Sequence, residues 1–315
     1  MPTAEFMCLD GAIVRYQDAR IHAFAGVVKY GCGVFEGIRA YWSAAERELF
    51  VFRLAEHLER LRFGMKLMRY AEIYPCDYLE DCVLRMLRAN ELRENVHIRV
   101  IAYLGGDDEL AQTGPVGLIA GALPRGSPKG VTDGIHVRVG SWARIADNAL
   151  PPRVKCTGNY VNNRAAEIEA RQDGYDGVIM LTAAGKVSEG SGACLFIARN
   201  GRLHTPDLAS DILESITRDT MLQIAPATIG TTVVERTIDR SELYAAEEMF
   251  WCGSGQEVMP ILSVDRIPVG DGHIGPLTRA LQERYFGIVR GEDAERRDWL
   301  TQVWGEHDRA TRDPS

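Results

Sequence analysis

The sequence predicts an α+β protein built as two domains, and three features carry that expectation. At 315 residues and 46% hydrophobic, the chain is long enough for two separate cores. Segments that alternate apolar and polar residues are interspersed with segments whose apolar residues recur three and four apart. One stretch, Leu123-Pro124-Arg125-Gly126-Ser127-Pro128-Lys129-Gly130, is rich in Pro and Gly and has no period, as a linker would. These features divide the chain into a smaller domain over 1–122, a connecting loop over 123–133 and a larger domain over 134–315.

In the first domain, 13–16, 27–41 and 48–52 read as strands joined by hairpins. Glycines at 31, 33 and 37 keep the backbone bare, which suits close approach of a ligand or a neighbouring chain; a glycine-rich turn among core aromatics is the alternative. Residues 54–70 carry Leu58, Leu61, Met65 and Met68 at helical spacing. Asp77 is placed to cap a helix over 78–91, with Leu79, Val83, Met86 and Leu87 on one face. Residues 96–104 alternate, with Val96, Ile98, Val100, Ala102 and Leu104 on one face and His97, Arg99 and Tyr103 on the other. That polar face is either the solvent side of an edge strand or the wall of a site. A strand over 115–122 completes the domain.

The second domain opens with a strand over 135–142 and a helix over 160–171. Strands over 176–182 and 186–198 follow, turned by Ala184-Gly185 and Asn200-Gly201. A helix over 217–225, a strand over 231–237, a helix over 240–246 and a strand over 248–252 lead to the turn Gly253-Ser254-Gly255-Gln256. Gly275-Pro276 starts a helix to about 289. In the charge-dense stretch 292–315, Trp299, Leu300, Val303 and Trp304 form the only apolar cluster, so a short docked helix and a frayed end are expected there.

Three pieces of the second domain carry chemistry. Lys155 follows Pro151-Pro152 and precedes a helical run, which holds an amine at a strand-to-helix corner; a solvated surface lysine is the plain alternative. Glu189 sits in the apolar, glycine-punctuated run Val187-Ser188-Glu189-Gly190-Ser191-Gly192-Ala193-Cys194-Leu195-Phe196, where an unpaired carboxylate is costly, so it faces a cation. Leu213-Glu214-Ser215-Ile216-Thr217-Arg218-Asp219 reads as a loop opening a helix, whose first N–H groups suit a phosphate. An amine to bond it, a counter-ion for its ring nitrogen and an anchor for its phosphate are the needs of pyridoxal 5′-phosphate.

Lys155-x-x-Gly158-Asn159-Tyr160, Ser188-Glu189-Gly190-x-Gly192-x-x-Leu195-Phe196 and Ile216-Thr217-Arg218-Asp219, in that order, resemble the branched-chain aminotransferases of the class IV (fold type IV) pyridoxal-phosphate group. Tyr30-Gly31-x-x-Val34-Phe35-Glu36-Gly37-Ile38-Arg39 and Phe52-Arg53-x-x-Glu56-His57-x-x-Arg60-Leu61 extend the resemblance over roughly residues 12 to 291. It implies a small α/β sandwich domain followed by a larger pseudo-barrel. The implied reaction moves an amino group from an L-branched-chain or similar apolar amino acid to 2-oxoglutarate or another 2-oxo acid, in a homodimer or larger homo-oligomer.

By the same resemblance, Lys155 bonds the cofactor and shuttles the proton, Glu189 meets the ring nitrogen, Tyr160 the phenolic oxygen and Leu213 the ring face. Arg53, Ile216, Thr217 and Ser254 hold the phosphate. Tyr30 and Phe35 line the side-chain pocket, and Gly37 and Arg39 fit the same subgroup. Arg99 meets a substrate carboxylate; His97, Arg125 and Gly255 border the substrate; His57 is a structural partner. Four places depart from the pattern: His97 stands for a tyrosine, Ala193-Cys194 for Glu-Asn, Glu214-Ser215 for Pro-Gly, and Gly255-Gln256 for Ala-Ala. They keep open an (R)-amine or D-amino acid transaminase; a 4-amino-4-deoxychorismate lyase on the same fold is a further alternative of another class.

Composition excludes other classes. A net charge of −8 without a five-residue basic run argues against nucleic acid as a partner. No segment approaches the roughly 20 apolar residues of a membrane helix, and the start lacks a basic, apolar leader, so the cytoplasm is expected. Seven cysteines, without Cys-x-x-Cys, suggest neither a disulfide framework nor a metal site. They read as small buried residues, with Cys156, beside the lysine, the single candidate for a reactive thiol.

Overall fold

The computed structural model describes residues 4–107 and 109–305. The chain divides into two compact units: Met1–Gly126, Val154–Gly158 and Gly287–Ser315 form one, Ser127–Arg153 and Asn159–Phe286 the other. The sequence division at 123–133 assigns 154–158 and 287–315 to the second domain, whereas here Val154–Gly158 and the described residues from Gly287 onward join the first unit. The reason is strand pairing: Leu300–Gln302 adds to Glu48–Phe52, and the lysine segment pairs with the chain entering Val34–Ser43.

The first unit is a seven-stranded antiparallel sheet, ordered Leu300–Gln302, Glu48–Phe52, Val34–Ser43, Val96–Leu104, Val116–Pro124, Phe6–Leu9 and Ala12–Arg15. The helices Leu54–Leu67 and Cys76–Ala89 cover one face. Leu58, Leu61, Met65, Leu79, Val83 and Met86 from the helices share a core with Ile38, Ala40, Ile98, Val100 and Leu118 from the sheet. Because side chains alternate along a strand, the opposite face presents Phe35, Gly37 and Arg39. Register puts Arg99 beside Gly37 and His97 beside Arg39, so all five share that helix-free face. Val96–Leu104 has partners on both sides, so the polar face of His97 and Arg99 belongs to a central strand and not to an edge.

Two local expectations change. Residues 27–30 are helical, not extended: Gly26–Tyr30 is a short helix closed by Gly31 at φ 64°, whose N–H bonds the Val27 carbonyl at 3.1 Å. Asp77 lies inside the first turn of Cys76–Ala89, whose cap position is Pro75. An aspartate there still favours the helix through the dipole.

The second unit is a nine-stranded mixed sheet. Val187–Gly190 lies at one end of the strand order and Cys194–Arg199 third from the other, yet only three residues join them. Five strand spacings would put these strands about 24 Å apart in a flat sheet, while such a link reaches at most about 14 Å. The sheet therefore curls back on itself, as a pseudo-barrel does. The expected strand 186–198 is broken at this link, where Gly190 N–H bonds the Ala193 carbonyl at 2.8 Å. Helices Asn159–Gln172 and Ile216–Ile229 flank the sheet, while the expected strand 231–237 is reduced to Val234–Glu235. The C-terminal stretch forms the 3-10 turn Ala294–Trp299 and then the strand Leu300–Gln302; residues 306–315 lie outside the described residues.

Candidate active site

In the first unit the lysine segment is stitched to the glycine stretch. Phe35 N–H bonds the Lys155 carbonyl at 2.9 Å, Thr157 N–H the Gly33 carbonyl at 2.8 Å, and Gly158 N–H the Gly31 carbonyl at 2.8 Å. Thr157 Oγ1 donates to the Gly31 carbonyl at 2.5 Å and accepts from Gly33 N–H at 3.1 Å. A Cβ on Gly33 would lie 2.8 Å from Val27 Cγ2 and 3.2 Å from Thr157 Cγ2, so this approach needs glycine. The stitching carries Lys155 Nζ to 5.0 Å from the Phe35 ring centroid. Arg99 stacks its guanidinium on the same ring at 4.8 Å. Cys156 is buried with Sγ against the Gly31 carbonyl, a poor position for a reactive thiol.

Around this wall stand Arg39, His97, Arg99 and Arg125. Burial first, then the charges of Arg99, Arg125, Arg39 and Lys155, push the His97 imidazole down to about 3, so it is neutral at physiological pH. Both its ring nitrogens are buried without a hydrogen-bond partner among the described residues. Three guanidiniums and an unsatisfied imidazole form a receptor for an anion. Tyr30 is 45% exposed at the end of its helix, unlike buried Phe35.

Behind Phe35, on the helix side, Glu36 is fully buried and bonds His57 Nδ1 at 2.7 Å and Arg60 Nε and Nη2 at 2.7 Å each. Burial alone would raise the Glu36 carboxyl, but Arg60 and His57 overcome it and hold it at about 2. His57 is held below its usual range by burial, with Glu36 opposing. His57 is thus a structural partner, and the network fixes the strand that carries Phe35, Gly37 and Arg39. Arg53, buried at the start of Leu54–Leu67, bonds Glu56 through Nε at 2.7 Å.

In the second unit Glu189 is buried and faces a cation, Arg144, whose Nε donates to Oε1 at 3.0 Å. Its Oε2 accepts from Leu213 N–H at 3.1 Å, with Cys194 Sγ 3.8 Å away. Arg144 Nη1 is buried with no partner among the described residues. Sequence reasoning missed Arg144; the requirement that a buried carboxylate have a cation pointed to such a residue without naming it. Ser215 caps the 14-residue helix Ile216–Ile229 by accepting Arg218 N–H at 3.3 Å, so buried Ile216 and Thr217 form its first turn. Tyr160 stands in the first turn of Asn159–Gln172. Ser254 and Gly255 form the turn between Glu248–Gly253 and Glu257–Val264.

Among the described residues there is no cluster of His, Cys, Asp or Glu suited to a metal ion, and no helix long and apolar enough to cross a membrane.

Residues 33–264 match the model of the amino-transferase class IV family. A probable branched-chain-amino-acid aminotransferase of Aquifex aeolicus is 40% identical over 95% of this chain and 97% of its own length. The crystal structure of a branched-chain aminotransferase from Thermoproteus uzoniensis with norvaline superposes with a TM-score of 0.90 at 37% identity, over 96% of this chain and 100% of that one. The branched-chain amino acid aminotransferase of Thermobaculum terrenum, in its PLP holo-form, gives 0.90 at 37% identity, over 96% and 99%. A family match across most of the chain, together with full-length relatives well above 30% identity, shows that this chain belongs to the class IV aminotransferases.

Proposed function

We propose that the protein is a pyridoxal-phosphate-dependent aminotransferase that takes an amino group from an L-branched-chain or similar apolar amino acid and passes it to 2-oxoglutarate or another 2-oxo acid. The observation that carries this reading is the Phe35 ring, shared by the Lys155 amine at 5.0 Å and the Arg99 guanidinium at 4.8 Å. An apolar wall shared by an amine and a cation suited to a carboxylate fits an amino acid, whereas a simple amine has no use for the cation. The names of the full-length relatives support the same donor class.

The residues fit the cofactor by their chemistry: an amine at Lys155, a buried carboxylate at Glu189 kept company by Arg144, and a buried cation at Arg53. When bound, pyridoxal phosphate supplies an electron sink for the substrate's α-carbon. Lys155 would bond the cofactor, and its amine, once released, would carry the proton of the substrate's α-carbon. Glu189, itself held by Arg144, would hold the ring nitrogen's proton. Tyr160 would donate to the phenolic oxygen, and Leu213 would cover the ring. Arg53 would offer the phosphate a guanidinium, and Ile216, Thr217 and Ser254 helix N–H groups and hydroxyls. Arg99, with Arg39, His97 and Arg125, receives the carboxylate of donor or acceptor, while Tyr30, Gly37 and Gly255 border the substrate.

The test is the single half-reaction, followed by loss of the cofactor's absorbance band. L-leucine, L-isoleucine and L-valine should react, and (R)-1-phenylethylamine, which lacks a carboxylate, should react poorly. Arg99→Ala should cost amino acids about 10- to 150-fold relative to the amine, since a charge-assisted contact is worth roughly 1.5–3 kcal/mol. An amine as fast as leucine, or an unchanged ratio in Arg99→Ala, would give first place to the (R)-amine reading.

We also read the protein as cytoplasmic and as a homodimer or larger homo-oligomer. Seven free cysteines suit a reducing compartment. Phe24, Val28 and Tyr30, 64%, 55% and 45% exposed, crowd one short stretch of the first unit, as a surface covered by a second copy would. Sedimentation should give at least twice the 35.0 kDa chain mass, and an active species at the single mass would refute self-association.

A further inference from the structure

The last described segment of the chain lies against Arg53. Leu300–Gln302 pairs antiparallel with Glu48–Phe52, the strand that ends at Arg53, with Leu300 opposite Phe52. This pairing brings Trp299 onto Arg53 in two ways. Arg53 N–H donates to the Trp299 carbonyl at 2.7 Å, and the guanidinium carbon lies 4.8 Å from the indole centroid. Phe52 meets the same indole edge-on at 6.1 Å. The contact is buried on both sides, with Arg53 and Trp299 each 7% exposed.

Arg53 needs such support. It begins the helix Leu54–Leu67 at φ 49° and ψ 45°, a left-handed backbone that is costly for a residue with a Cβ and persists only where the surroundings enforce it. The Trp299 carbonyl holds the Arg53 N–H in that conformation, the indole face sets the plane of the guanidinium, and Glu56 fixes its Nε edge. The segment after Trp299 is latched in turn. Buried Glu48 accepts N–H groups of Val303, Trp304 and Gly305 at 3.1, 2.9 and 3.1 Å, and Arg88 Nε donates to the Val303 carbonyl at 2.7 Å.

We propose that Trp299 is a positioning residue that sets how tightly Arg53 grips the phosphate ester of the cofactor, so that the C-terminal segment serves the phosphate site. The inference rests on the reading of Arg53 as a phosphate ligand. A plain hydrophobic plug would stabilise the first unit without discriminating between ligands. A residue acting through Arg53 affects only ligands that carry phosphate.

The experiment compares the full-length protein's equilibrium affinity for pyridoxal 5′-phosphate with that for pyridoxal, which lacks the phosphate, by absorbance titration. Trp299→Leu should weaken pyridoxal phosphate about tenfold and leave pyridoxal unchanged, the size expected for one buried cation–π contact. Trp299→Phe, which keeps a smaller aromatic face, should lose about two- to threefold, again for the phosphate ester alone. Arg53→Gln should collapse the preference for the phosphate ester, and adding Trp299→Leu to it should cost little more, because the two residues act as one unit. If Trp299→Leu does not fold, Trp299→Phe decides: a loss confined to the phosphate ester supports the role, and no selective loss overturns it. Equal weakening of both ligands by Trp299→Leu, or none, beside a collapse in Arg53→Gln, would reduce Trp299 to packing. An unchanged preference in Arg53→Gln would remove the phosphate role of Arg53 itself, and the inference with it.

Discussion

His97 is the residue where the physical chemistry is least forgiving. Its ring nitrogens are buried without a partner among the described residues, and burial together with the charges of Arg99, Arg125, Arg39 and Lys155 lowers it to about 3. The unfolded chain, with an ordinary imidazole near 6.5, binds a proton there that the folded chain refuses. Stability from this group is therefore complete above about pH 6.5 and is lost progressively as pH falls toward 3, at a cost of about 2 kcal/mol by pH 5. His97→Asn should lose less thermal stability between pH 7 and pH 5 than the parent, by calorimetry. Equal losses would mean that His97 is protonated in the folded protein. A neutral imidazole leaves the charge of the anion receptor to the three arginines, so the histidine supplies hydrogen bonding that a bound carboxylate can satisfy.

At the scale of elements, the sequence was most legible where the local pattern is also the structural cause. The helical spacing of Leu58, Leu61 and Met65 became Leu54–Leu67, and alternation over 96–104 became Val96–Leu104 with its apolar face wholly buried. Asn200-Gly201 formed its turn with φ 52° and 68°, as two residues that tolerate left-handed backbone do. Legibility failed where neighbours decide. Whether Val96–Leu104 is central or at an edge depends on pairing that one strand does not record. The helix Gly26–Tyr30 hides among β-branched and aromatic residues that read as strand. Of the site, Lys155, Glu189 and Arg53 stand in motifs that the sequence displays. Arg144 and Trp299 do not, because each meets its partner through the fold and belongs to no local pattern.

For the whole molecule, the departure from a simple two-domain reading lies in the route of the chain. It leaves the second unit for five residues, Val154–Gly158, and leaves it again at Gly287. The first excursion ties Lys155 to Phe35, and the second ties Trp299 to Arg53. Both excursions thus deliver residues to the first unit from distant parts of the chain, the Lys155 amine beside Phe35 and a support for the buried Arg53. The central claim is that this amine carries pyridoxal phosphate. The most direct measurement is borohydride reduction of the purified, cofactor-replete protein followed by peptide mapping. The account predicts a reduced pyridoxyl group on Lys155; a group on Lys66, Lys129 or Lys186 instead, or none at all, would contradict it.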